Sequence, residues 1–410
     1  MKIGIIHSKL NGKGGSQRQA LCLAYELQKM GHEVALYTLS YNKERCFSDI
    51  LSHLRVVVPV GTSKKRKPIR FFHFLNYFLH AREENRAAHV LAMMIDKDTE
   101  VLNPHDRLGF RVAAYAKKQV RSFPSVLMMN DILTKRWIAW RRGQCSEKYA
   151  LKLKQRIFNR VIDYYEVRKF ILPHEGMVVL DHRTREWAKT YFGKDAAVVR
   201  SGLSLEEFPY VAHEISKEKA VRIFMAGIFF IHRRYEDAIR AVSLLQKRGY
   251  DVTLVIAGAY GGNQEYIDYH RDLAVLVREL GLEQYAVFTG KISDEELKKS
   301  YQTSDIYLST NHLQSWGLAA FEAMASGCPV VVSRSTGAAE VLTDGANALM
   351  VPPRSPTAIA AALERLITNE ELYASVSCEG RAFVERTMGW RLYAEGMMDR
   401  YREAVMMRQS

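Results

Sequence analysis

The sequence has little cysteine and no pattern in what it has. Cys22, Cys46, Cys145, Cys328 and Cys378 are scattered through 410 residues without one C-x-x-C pair. That excludes a disulfide framework and a cysteine zinc site, and fits a reducing cytoplasm. No run of 18 apolar residues occurs, which argues against a membrane-spanning helix. The opening MKIGIIHSKL has too short an apolar stretch for a secretion signal and leads into a Gly-rich turn. Neither the G-x-G-x-x-G spacing of a dinucleotide fingerprint nor the spacing of a P-loop is present. No repeat at a period of 20–50 residues suggests a solenoid. What remains is a chain with 48% hydrophobic and 25% charged residues, the composition of a folded globular protein. Its 410 residues predict two domains.

Acidic residues are scarce in one half only. Residues 1–210 carry 37 Lys and Arg against 20 Asp and Glu, net +17. Residues 211–410 carry 22 against 25, net −3. The chain's +14 therefore belongs to the first half, which predicts an anionic partner there.

Both halves follow the same winding. In the first, the apolar run Ile3-Gly4-Ile5-Ile6 reads as a buried strand and Asn11 to Ser16 as a turn. A helix is expected over 18–30, with Ala20, Leu21, Leu23, Ala24 and Leu27 on one face and Gly31 as its stop. A strand over 33–37 follows, so the unit needs a parallel sheet and a crossover helix. Further strands are expected at 54–60, 100–103, 125–129 and 177–180. In the second half, strands at 221–226, 252–257, 286–289, 306–309 and 329–333 alternate with helices over 236–247 and 266–280. The polar stretch 209–220 reads as a linker. The expected fold is α/β, two doubly wound Rossmann-like domains facing across a cleft, with ligands at the carboxyl ends of the strands.

Three loops have the chemistry for an anionic ligand. Lys13-Gly14-Gly15-Ser16 precedes a helix, so its backbone N–H groups and the helix dipole favour a phosphate, although a plain tight turn explains it equally well. Gly227 to Arg234 follows a strand, and adjacent Arg233 and Arg234 can fork onto a diphosphate, or form an exposed basic turn. Trp316-Gly317 opens a helix after a strand and loop, which aims the N–H groups of Gly317 and Leu318 at a phosphate. Glu322, about one turn further on, can accept hydrogen bonds from the two hydroxyls of a ribose, or be a buried structural carboxylate.

Taken together, these segments resemble the GT-B-fold retaining glycosyltransferases of family 4, the glycosyl transferases group 1. The resemblance runs through VRIFMAGIFFIHRR, LVIAGAY, AVFTGKISDEELKKSYQTSDIYLST, QSWGLAAFEAMASGCPVVVS and TGAAEVLTDGANALMVPP in the second half. In the first half it rests on GGSQRQALCLAYELQKMGHEV, NPHD and VVRSGLSLEEF. It implies an acceptor-binding domain over 1–210, a nucleotide-sugar-binding domain over 211–388, and a closing segment over 389–410 that packs back on the first domain. By position it implies that Gly14 and Gly15 contact the donor phosphates and sugar, and that His105 is the active-site histidine. Gly227, Arg233 and Arg234 fall in the phosphate turn. Gly290, Lys291 and Ile292 meet the base. Gly317 and Leu318 bind the diphosphate, Glu322 the ribose, and Glu340 is the acid of the G-G-x-x-E segment.

Two positions depart from the pattern. The first acid of the family's E-x7-E is Gln314, and no Asp or Glu lies between Asp305 and Glu322. An amide can bond a sugar hydroxyl but brings no charge to a developing cationic sugar. The family's arginine before the phosphate lysine is Ile228. The resemblance implies a hexosyltransferase that retains configuration, needs no cofactor or metal, and uses a UDP-, GDP- or other nucleotide-sugar. The candidate catalytic set is His105, Arg233, Gln314 and Glu322. A silent sugar-nucleotide or glycan-binding protein and a GT-B sugar-nucleotide epimerase stay open as alternatives.

The basic half suggests where the acceptor is. Lys64, Lys65, Arg66, Lys67 and Arg70 run into Phe71 and Phe72, the mixture that an interfacial helix needs. Trp137 and Trp140 with Arg141 and Arg142 form a second such cluster, which Lys152, Lys154, Arg156 and Arg160 extend. The alternative is solvated helices whose aromatics lie in the core. No nucleic-acid motif accompanies these residues, so nucleic acid is not the expected partner. The expectation is a lipid-linked or polysaccharide acceptor and a cytoplasmic protein, peripheral on the cytoplasmic face of an anionic membrane.

Overall fold

The computed structural model describes residues 1–59, 73–130, 153–215, 219–259 and 264–409. They fall into two compact units. The first comprises 1–130, 153–202 and 390–409, and the second lies within 203–389.

In the first unit β1 (Lys2–Ile6) buries Ile3, Ile5 and Ile6 completely, as a central parallel strand must. The helix Gly15–Lys29 buries Ala20, Leu21, Leu23, Ala24 and Leu27 at helical spacing. Gly31, at φ +85°, stops it in the left-handed region that glycine adopts without strain. Short β2 (Lys9–Leu10) precedes that helix. β3 (Glu33–Tyr37) then pairs parallel with β1, and β4 (Ser40–Tyr41) pairs with β2. Next come β5 (Arg55–Val57), β6 (Val101–Pro104), β7 (Val126–Met128), β8 (Gly176–Val179) and β9 (Ala197–Val198). The sheet orders are β5-β3-β1-β6 and β7-β8-β9, all parallel. A bridge from Leu102 to Ser125 and a 2.9 Å bond from the Leu102 N–H to the Pro124 carbonyl join the two. The direction of winding reverses between β1 and β6. The C-terminal helix Trp390–Gln409 belongs to this unit and packs on the Gly15–Lys29 helix and β8.

The second unit carries β10 (Val221–Ala226), β11 (Val252–Ala257), β12 (Ala286–Gly290), β13 (Ile306–Ser309), β14 (Val330–Ser333) and β15 (Leu349–Val351). All pair parallel in the order β12-β11-β10-β13-β14-β15, the doubly wound order, which reverses between β10 and β13. Ile223, Leu254, Ile256, Ile306, Leu308 and Val331 are fully buried in its core. Each such side chain contributes about 1.5–3 kcal/mol. The second unit begins before the expected linker, 209–220: the Leu203 N–H donates to Met388 O at 2.7 Å, and within the linker stretch the Val211 N–H donates to Ser326 O at 3.1 Å. Both bonds make 203–211 part of the second unit. Among the described residues no helix is long and apolar enough to cross a membrane.

Candidate active site

In a doubly wound sheet the ligand crevice lies at the carboxyl ends of the strands, where the order reverses. In the second unit that point is between β10 and β13. After β10, Gly227 takes φ +153°, and a Cβ there would lie 2.5 Å from Arg233 Cζ. The Arg233 guanidinium therefore rests directly on the glycine. Phe229 is fully buried against Tyr235, His270 and Phe288, which pins the loop from below. The Tyr235 hydroxyl donates to Gly227 O at 2.9 Å. Gly258, after β11, packs so closely that a Cβ would meet the Gly227 carbonyl oxygen at 1.9 Å. Its N–H donates to Gly290 O at 2.8 Å, which sets Gly290, Lys291 and Ile292 at the end of β12 beside the same loop.

The loop after β13 is tied to the first. Thr310 Oγ1 donates to the carbonyls of Arg233 and Arg234 at 2.7 and 3.1 Å, and the His312 N–H donates to His232 O at 2.7 Å. The Leu313 N–H donates to Ser335 Oγ at 2.8 Å, and the Gly337 N–H to Gln314 O at 3.0 Å. The Gln314 amide folds over Gly317, where a Cβ would lie 3.3 Å from its Oε1. Gly317, left-handed at φ +80°, caps the helix Leu318–Ala325. Gly227, Arg233, Gln314, Gly317 and Leu318 are thus gathered at one switch point. Glu322, one turn into the helix and 8% exposed, accepts from the Tyr301 hydroxyl at 2.9 Å. Glu340 ends the 3-10 turn Gly337–Glu340.

Arg234 does not join Arg233 as the sequence suggested. Its left-handed backbone, φ +56°, turns it back onto its own helix. There it bonds both oxygens of Asp237 at 2.9 Å and pairs with Glu236 at 2.6 Å. Burial pushes the Glu236 carboxyl up, and the Arg234 charge opposes that shift. The turn offers one cation, not a fork.

In the first unit the reversal lies between β1 and β6, and the Gly loop and His105 follow those two strands. Gly14 is the N-cap of the Gly15–Lys29 helix. His105 is buried, and its N–H donates to Ile6 O at 2.9 Å. Its Nε2 lies 2.7 Å from Asn103 Oδ1. Asn103 gives its amide N–H to Val126 O at 2.7 Å, so its oxygen faces the ring and also accepts from the Tyr401 hydroxyl at 2.8 Å. An amide oxygen only accepts, so His105 Nε2 carries the proton and Nδ1 is an acceptor. Nδ1 has no hydrogen-bond partner among the described residues. Burial, then the neighbouring His7, lowers the His105 pKa to about 3. The ring is neutral and suited to accept from a hydroxyl.

Sequence reasoning missed four residues here. His7 is buried at the end of β1, with Nε2 3.1 Å from Ser16 Oγ and Nδ1 3.6 Å from Asp106. Asp106 accepts from the Ser8 and Gly109 N–H groups at 2.8 and 2.6 Å and caps the helix Arg107–Gln119. Asn103 and Tyr401 complete the set. His7 and Asp106 carried a signal, since His7 directly follows the first predicted strand and Asp106 adjoins the predicted site residue His105. Lys64, Lys65, Arg66, Lys67, Arg70, Phe71 and Phe72, and Trp137, Trp140, Arg141 and Arg142, lie outside the described residues. Among the described residues no group of three or more His, Cys, Asp or Glu side chains is placed to hold a metal.

Two doubly wound units with loops gathered at each switch point define a two-domain α/β protein. Residues 189–383 match the family model of the glycosyl transferases group 1. The chain is 25% identical over 401 residues to an uncharacterized glycosyltransferase of Methanocaldococcus jannaschii, covering 96% of this chain and 95% of that one. It is 25% identical over 403 residues to the mannosylfructose-phosphate synthase of Agrobacterium fabrum, covering 94% and 85%. The structure of Anabaena HepE in complex with UDP and glucose superposes with a TM-score of 0.69 at 17% identity, over 98% of this chain and 100% of that one. The fold is GT-B.

Proposed function

We propose that the protein is a retaining hexosyltransferase that moves a sugar from a nucleotide-sugar to a lipid-linked or polysaccharide acceptor at the cytoplasmic face of a membrane. The observation that carries the transferase reading is the placement of Arg233, on Gly227 and beside the Gly317-capped helix, at the switch point of a sheet in a group 1 domain. That loop and helix end offer positive potential to a leaving diphosphate, which is the charge the transition state develops. Glu322 faces the ribose, and Gln314 bonds a sugar hydroxyl. His105, neutral with Nδ1 as acceptor, orients the sugar. The acceptor hydroxyl attacks from the face the diphosphate leaves, and a donor phosphate oxygen takes its proton. The basic first half supports a membrane-bound acceptor by charge alone.

Thermal-shift measurements with UDP-, GDP-, ADP- and TDP-sugars test the donor, because a ligand that binds the folded state raises the melting temperature by mass action. One of them should stabilise the protein, and transfer or donor hydrolysis should follow with that sugar. Unchanged rates in both Arg233→Ala and Glu322→Ala would overturn the site. Gln314 and the pairing of Arg234 within its own turn favour a second reading, a weak or silent sugar-nucleotide-binding protein. Binding with neither transfer nor hydrolysis would select it.

A further inference from the structure

We infer that the outward face of the helix Leu153–Phe170 is the surface by which this protein docks on an anionic lipid bilayer. The inference rests on the membrane part of the proposal above and names the contact.

The helix lies between β7 and β8 in the first unit and is about 27 Å long. Its exposed apolar side chains are Leu153, Ile157, Val161, Tyr164 and Tyr165, with Leu153 70% and Tyr164 62% exposed. They recur at spacings of three and four, so they form one stripe. The exposed charged residues on that face are Lys154, Arg160, Arg168 and Lys169, all cations. The helix has two acids, Asp163 and Glu166, and both are half-buried. Glu166 is taken by Arg107, at 2.6 and 2.8 Å, and by Arg111, at 2.9 Å. The outward face is therefore apolar and cationic with no exposed acid.

A contiguous exposed apolar stripe marks an interaction surface, and the charge selects the partner. A second copy of this chain would set four cations against four. Nucleic acid would satisfy the cations and leave Leu153, Ile157 and Val161 in water. An anionic bilayer satisfies both, phosphates and acidic headgroups for the cations and the acyl boundary for the apolar stripe. Arg168 lies 5.2 Å over the Tyr164 ring and Lys169 5.0 Å over the Tyr165 ring, cation–aromatic pairs of the kind that sit at headgroup depth. The ion pairs to Arg107 also fix the helix to the strand end that carries His105, two residues earlier.

Co-sedimentation of the full chain with phosphatidylglycerol-containing vesicles and with pure phosphatidylcholine vesicles tests this. The protein should bind the anionic vesicles and not the neutral ones. Ile157→Asn with Val161→Asn should abolish sedimentation without changing charge. Lys154→Gln with Arg168→Gln should weaken it about 25-fold, about fivefold for each cation. All four side chains are exposed, and melting curves will verify that the variants fold. Binding that both variants leave unchanged overturns this face while membrane association stands. No binding of the parent chain to anionic vesicles overturns the membrane reading itself, whereas donor transfer to a soluble acceptor still reports the enzyme. A dimer that the Ile157 variant dissociates, or polynucleotide binding lost only in the charge variant, would overturn the proposal in favour of those partners.

Discussion

The two units share a sheet order and differ in what fills the switch point. In the second unit the crevice is made of backbone: glycines at positive φ, a carbonyl-pinned loop, a helix start, and one arginine laid on Gly227. In the first it is made of side chains, the buried His7, Asn103, His105 and Tyr401 and the half-buried Asp106, linked by hydrogen bonds and a short His7–Asp106 approach. A backbone site holds a ligand by N–H groups and survives changes in pH. A site of enclosed imidazoles does not, because each must stay neutral for the fold to hold. The difference teaches that the two halves will fail under different stresses.

Acid should give the largest effect. His105 and His174 are both buried in the first unit, and burial holds both folded pKa values at about 3. Their ordinary value is near 6.5, so between about 3 and 6.5 the unfolded chain binds more protons than the folded one. Their contribution is intact above pH 6.5 and is lost as pH falls through that window. At pH 5 each costs about 2 kcal/mol, and His7, lowered in the same direction by burial, adds to the loss. In the second unit the lowered histidines, His213 and His270, are only half-buried. Hydrogen exchange at stepped pH should therefore lose protection first in 1–130 and later in 221–389. Simultaneous loss would break the comparison.

Next in size is the contrast between neighbouring arginines. Arg233→Ala should lower turnover about 100-fold or more, the usual effect of removing one preorganised charge from a transition state. Arg234→Ala should change turnover far less and lower the melting temperature instead, since its guanidinium already bonds Asp237 and Glu236. Equal kinetic losses would mean that Arg234 leaves its carboxylates when the donor binds.

These contrasts explain what the sequence made legible. Strands at Glu33–Tyr37, Val221–Ala226, Val252–Ala257 and Ile306–Ser309 are short, mostly apolar runs that alternate with helical patterns, so they and the α/β class could be read directly. Glycines and strand ends could be located too, and with them the loops that gather at each switch point. Partnerships could not. Asn103 meets Tyr401 across 298 residues and Glu322 meets Tyr301 from another helix, and neither contact leaves a local pattern. Arg234 was misread because a left-handed residue before a helix has no sequence signature beyond glycine or asparagine. On the Leu153–Phe170 helix the periodicity shows that an apolar face exists, while only burial shows that it points outward.

The smallest effect probes the side-chain site. Tyr401→Phe removes one donor from Asn103 Oδ1 and leaves the ring of His105 as its remaining partner in this set. The loss of one buried hydrogen bond costs about 1 kcal/mol, a drop of about 2–4 °C in melting temperature. Asn103 still bonds Val126 O, so the fold should hold, but its amide gains freedom to tilt away from His105. If His105 acts through a fixed tautomer, kcat should fall a few-fold while the donor KM stays unchanged, because the Arg233 and Gly317 loops are intact. A fall in stability with no change in kcat would mean that Tyr401 secures only the C-terminal helix. A rise in donor KM would mean that the two switch points are not as separable as their chemistry implies.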